Sequence, residues 1–72
     1  MSVTKTGVKA HDDTCNASEA TRQVAVAAAA NQAAARAAEI AHYRTCRASA
    51  IANNCSPAPF IQALLDMGTG GV

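Results

Sequence analysis

Cysteine and histidine are the residues in this sequence with the most chemistry available to them. The chain holds three cysteines, Cys15, Cys46 and Cys55, and two histidines, His11 and His42. Three thiols in a chain poor in bulky residues suggest covalent stapling, and all three are disulfide candidates. Cys15 and Cys46 are 31 residues apart, so an unbroken helix between them separates the sulfurs by ~46 Å, far beyond disulfide reach. On that basis they do not pair within one chain. Cys46 and Cys55 can meet if the chain reverses at Asn53-Asn54, and Cys15, ahead of a helix N-terminus, is the candidate for an inter-chain bridge.

His11, Asp12, Asp13 and Cys15 are potential metal ligands, but their spacing matches no established site, so no metal is expected. Glu39, His42 and Cys46 share one helix side and superficially resemble a Cys/His nucleophile pair. Catalysis also needs an oxyanion donor and a concave pocket, which one alanine helix does not offer. The Gly68-Thr69-Gly70-Gly71 stretch follows a helix instead of preceding one and is no phosphate loop. No catalytic residue, metal or cofactor is expected.

The elements that must carry these residues are alanine-dominated. Of the 72 residues half are hydrophobic, but 19 of those are alanine and 3 cysteine, which leaves 14 larger apolar side chains. Burial at ~25 cal/mol per Å² set against ~1.5 kcal/mol of ordering per residue leaves such a chain near zero, so partners or cross-links are expected to complete it. From Ala17 to Ala52 there is no Gly or Pro, and 16 of 36 positions are alanine, the strongest helix former. Asn16 with Glu19 has the form of a capping box. The expectation is an all-α chain: an extended arm over 1–15, one long amphipathic helix over 16–53, a short hydrophobic helix over 56–67 and a flexible tail over 68–72. Ser56-Pro57 reads as the restart signal of the short helix and Gly68 as its stop. No internal repeat is read in the sequence.

At 100° per residue the long helix shows a strip of Val26, Ala30, Ala33, Ala34, Ala37, Ile40, Ala41, Ala48, Ile51 and Ala52, opposite Gln32, Arg36, Glu39, Tyr43 and Arg47. The expected interface is Val26, Ala30, Ala33, Ala37, Ile40 and Ile51 with Phe60, Ile61, Leu64, Leu65 and Met67 of the short helix. That helix either folds back on the long one, the favoured local structure, or docks in a partner's groove.

Six Lys/Arg against five Asp/Glu give a net charge of +1, so nucleic acid is not an expected partner. The apolar window 24–41 is interrupted by Asn31, Gln32, Arg36 and Glu39, which argues against a membrane span. No h-region opens the chain, so secretion by a signal peptide is not expected.

The runs VAVAAAANQAAARAAEIAHYR and ASAIANNCSPAPFIQALLDMGTGG resemble small accessory proteins of tailed-phage virions, the cement, decoration or connector components. The resemblance implies a non-enzymatic subunit, located in the virion or otherwise cytoplasmic, bound between larger shell proteins or to copies of itself. Many decoration proteins carry β-strands, and here none is read. The alternatives are a helical adaptor that binds a partner groove through its C-terminal helix, and a thiol redox or metal-handling protein.

Overall fold

The computed structural model describes residues 5–68, which form three helices: α1, Lys5–Ala28; α2, Gln32–Ala52; and α3, Ala58–Asp66. No strand occurs among the described residues, so the all-α expectation stands. The single helix over 16–53 does not: the chain breaks at residues 29–31 and reverses, packing α1 against α2 as a hairpin with α3 on α2. Asn31 makes the break. Its backbone is extended (φ −159°, ψ 174°) and its side chain accepts from Ala34 N–H at 2.9 Å, the N-cap geometry that starts a new helix. The expected capping box at Asn16 and Glu19 falls inside α1 instead.

The extended arm over 1–15 is corrected as well. Residues 5–15 are helical, residues 1–4 lie outside the described part, and so do 69–72 of the expected tail. Gly7, Asp12, Asp13 and Asn16 are weak helix formers, but a half-buried His11 hydrogen-bonded to Ser49 on α2 fixes this segment by tertiary contact. The exposed Lys9–Asp13 pair at 2.7 Å adds only an i,i+4 contribution.

The end of α2 follows the Asn53-Asn54 expectation. Asn54 takes the left-handed conformation at φ 58°, Asn54 N–H donates to Ile51 O at 3.3 Å, and Cys55 N–H donates to Ala50 O at 2.7 Å. Those are the two bonds of a Schellman motif with asparagine in the usual glycine position. α3 starts one residue later than Ser56-Pro57 suggests, with Pro57 at the cap, and Phe60 and Ile61 N–H both donate to its carbonyl at 3.0 Å. Gly68, at φ +79°, closes α3, and Arg36 of α2 donates to Met67 O. That bond and the turn at 53–57 set α3 antiparallel to α2. The fold-back alternative is the one the chain adopts.

The result is a thin slab, 44 × 24 × 12 Å. Among the described residues the buried side chains are few: Cys46, Ser49, Ala50 and Leu64. No described helix is long and apolar enough to cross a membrane. Leu64 is 0 % exposed whereas Leu65 is 47 % exposed. Leu64→Ala is therefore expected to cost ~2–5 kcal/mol and Leu65→Ala within ~0.5 kcal/mol of nothing, as read by urea or thermal unfolding followed by circular dichroism.

Candidate functional site

The seam between α1 and α2 is built from a sequence repeat. Residues 10–18 read AHDDTCNAS and residues 41–49 read AHYRTCRAS, identical at six of nine positions with a 31-residue offset. No repeat was expected, so this is a correction. Placed on antiparallel helices, the two copies face each other about an approximate twofold axis. The contacts are reciprocal: His11 Nδ1 lies 3.1 Å from Ser49 Oγ, and His42 Nδ1 lies 2.9 Å from Ser18 Oγ. Thr14 and Thr45 each donate to the carbonyl four residues back, Ala10 O at 3.0 Å and Ala41 O at 2.9 Å. These bonds leave both hydroxyls bound to their own helix.

At the centre stand Cys15 and Cys46, on facing helices between the two His–Ser contacts, near enough for the Cys15 thiol to act on that of Cys46. The unbroken helix that would hold them ~46 Å apart is not formed: the break at Asn31 folds the intervening chain back on itself, and both thiols are free. Beside each sulfur is the histidine of its own helix turn. Cys15 Sγ is 3.8 Å from both ring nitrogens of His11, and Cys46 Sγ is 3.8 and 3.9 Å from those of His42. His11 stands level with Ser49 and His42 level with Ser18, so the two rings are offset by seven residues, ~10 Å at 1.5 Å per residue. The four side chains thus form a row, His11, Cys15, Cys46, His42. Among the described residues, no three His, Cys, Asp or Glu side chains are grouped to hold a metal ion.

The twofold likeness breaks in two places. Glu19 occupies the position matched by Ala50, so only His42 has an acid neighbour, Glu19 Oε1 at 3.4 Å from Nε2. His11 instead meets the Phe60 ring edge-on, centroids 5.6 Å apart. The thiols also differ in access: Cys15 is half-buried, while Cys46 is 1 % exposed. Burial, with the Cys15 bond adding to it, pushes the Cys46 thiol up to about 12, so it stays protonated at neutral pH. Every buried side-chain N or O among the described residues has a hydrogen-bond partner. The cleft beside His42, lined by Ser18, Thr21, Arg22, Ala38 and Thr45 among others, measures ≈ 180 Å³, and a wider, open groove of ≈ 530 Å³ runs beside it along Asp13, Thr14, Ala17 and Ser18.

The remaining sequence-derived residues are scattered. Ala30, Ala33, Ala37 and Ile51 are exposed; Val26, Ile40, Phe60, Ile61 and Met67 are half-buried. Leu64 is enclosed within the chain and serves the interior, not a partner. Cys55 sits at the α2 cap, its thiol donating to Asn53 O at 3.6 Å, and the Cys46–Cys55 pairing is not made. Ser18, Ser49 and the His11–Cys15 contact were missed by reading one helix at a time; the duplicated AHxxTCxAS was the signal that could have found them.

Glu19 holds a second polar cluster. Arg22 Nε donates to Glu19 Oε1 at 2.7 Å, a second Arg22 bond reaches Oε2, and Gln23 donates at 3.2 Å. The Arg22 hydrogen bonds, with lesser help from Gln23 and His42, hold the Glu19 carboxyl down to about 2 from its ordinary 4.5. A carboxylate depressed on folding contributes stability that is full above its unfolded value and is lost as pH falls through the folded one. Between about pH 4.5 and 2 the wild type is therefore expected to lose more helical signal than Glu19→Gln, which lacks that titration; parallel acid titrations by circular dichroism measure the difference. Set beside known proteins, the chain matches no family model, no curated protein and no solved structure.

Proposed function

We propose that the chain is a small non-enzymatic assembly protein that associates through the outer face of α2, first with a second copy of itself. The observation that carries this reading is which side of α2 is left uncovered. α1 takes the side with His42, Cys46 and Ser49, and α3 packs on another; Ala33, Ala34, Ala37, Ala48 and Ile51 remain exposed, Ile51 at 60 %, with Arg44 exposed among them. The apolar strip seen in the sequence is thus the outward face, not the intramolecular seam. Small side chains let a second helix approach closely, and covering the 60 % of Ile51 that is exposed adds ~1–2 kcal/mol. The turn end is uncharged from Val24 to Ala35, so two copies that overlap at that end, leaving each Arg44 beyond the overlap, meet without like-charge repulsion. Where the larger partner is a shell protein, this reading takes the form of the virion accessory subunit that the resemblance implies.

A slab 12 Å thick whose wider grooves lie open to solvent supports assembly over turnover of a substrate. Sedimentation equilibrium across the micromolar range tests the reading. Wild type is expected to show a concentration-dependent rise in mass; Ala33→Arg or Ala37→Glu, in the strip, to stay monomeric; and Gln32→Glu, off the strip, to behave as wild type. A wild type that stays monomeric throughout, or equal effects of all three changes, contradicts it.

A further inference from the structure

We propose that Cys15 and Cys46 are an intrachain dithiol–disulfide couple that exchanges with low-molecular-weight disulfides. The inference stands apart from the assembly reading and rests on the seam alone. Three observations carry it. Cys15 and Cys46 lie on facing helices between the His11–Ser49 and His42–Ser18 contacts, near enough for the Cys15 thiol to bear on that of Cys46, so a bond between the sulfurs keeps the hairpin register. That register is fixed from both sides by the His11–Ser49 and His42–Ser18 contacts. The thiols are unequal in access, Cys15 half-buried and Cys46 1 % exposed, which gives them distinct roles.

Cys15 meets the oxidant. Its sulfur attacks one sulfur of the small disulfide, the S–S bond of that reagent breaks, and one small thiol departs with a mixed disulfide left on Cys15. Cys46 then attacks the Cys15 sulfur, expelling the second small thiol and closing the bridge. The protons of the two protein thiols finish on the two released small thiols, and the two electrons given up by the protein sulfurs reduce the reagent's disulfide. His11 and His42, each within 3.8–3.9 Å of its sulfur, are placed to carry those protons in transit. Cys46, buried and holding its proton more tightly than a free thiol, must give that proton up to attack, and its attack is intramolecular whereas Cys15 makes the bimolecular one. Cys55, nine residues beyond Cys46 and bonded to Asn53 O, lies outside the seam and takes no part.

The test equilibrates the full chain with glutathione and glutathione disulfide in graded ratios, followed by acid quench, intact mass and tryptic mapping. Trypsin separates the three cysteines into peptides 10–22, 45–47 and 48–72. The expected product is a monomer lighter by two hydrogens in which peptide 10–22 is linked to 45–47. The effective concentration of one thiol at the other is expected to exceed the ~1 mM of a flexible tether. Cys55→Ser is expected to leave both results unchanged, and Cys15→Ser to abolish the link while Cys46 stays unmodified. An effective concentration below that value, a glutathione adduct on Cys15 that never resolves, or a link that involves Cys55 or a second chain overturns the proposal, provided circular dichroism shows the same helicity for each variant.

Discussion

Everything in this structure depends on how two alanine-rich helices are held in one register without bulky side chains to lock them. Alanine surfaces slide, because every turn offers nearly the same shape to its neighbour and each methyl contributes little on burial. Directional contacts remove that freedom. His11 against Ser49 and His42 against Ser18 are made together in this alignment, and a slip of one turn gives up both serine partners at once. Buried polar groups without partners are costly, so the seam's selectivity comes from what a wrong register would forfeit. The nearness of Cys15 to Cys46, between the two His–Ser pairs, is a consequence of them.

The repeat explains why the pattern is reciprocal. A nine-residue segment used twice on antiparallel helices generates every cross-seam contact twice, so one set of residue types serves both helices. Departures from the symmetry are where the molecule differentiates its ends. Glu19 in place of an alanine gathers Arg22, Gln23 and His42 into one cluster. Phe60 and Leu64, brought by α3, cover the other side, and Cys46 is driven to 1 % exposure while its counterpart keeps access to solvent. Two identical residue types thereby differ in access through position alone, and burial raises the pKa of the enclosed one, Cys46.

The parts of this fold that were legible in the sequence are those with strong local signals. The Asn53-Asn54 stop, the proline-led start of α3 and the stop at Gly68 all rest on backbone conformations that few residues adopt. The break at Asn31 was obscured because an asparagine inside an alanine run reads as a mild interruption when judged by propensity. Its capping bond to Ala34 matters only once the two halves have somewhere to pack. The seam was obscured for the opposite reason. Hydrophobic patterning marks core by contrast, and a helix with alanine on every side provides almost none, so the strip of Ala33, Ala37 and Ile51 seemed the packed face although it is exposed. The residues that do pack, His42, Cys46 and Ser49, score as polar or neutral.

A seam of this kind also changes what cross-linking means for the chain. In a protein with a large core, a disulfide between two packed helices adds to a structure that burial already holds. Here Leu64 and Cys46 are the largest side chains wholly removed from water, and the helices have little apolar area to contribute. A bond between Cys15 and Cys46 would close a 31-residue span that includes the turn at 29–31, constraining the unfolded chain most where the folded one is least supported by burial. The scarcity of bulky side chains and the central placement of the two thiols are therefore parts of one physical arrangement: the weaker the apolar contribution of the hairpin, the larger the share of its stability that the oxidation state of a single pair of sulfurs can govern.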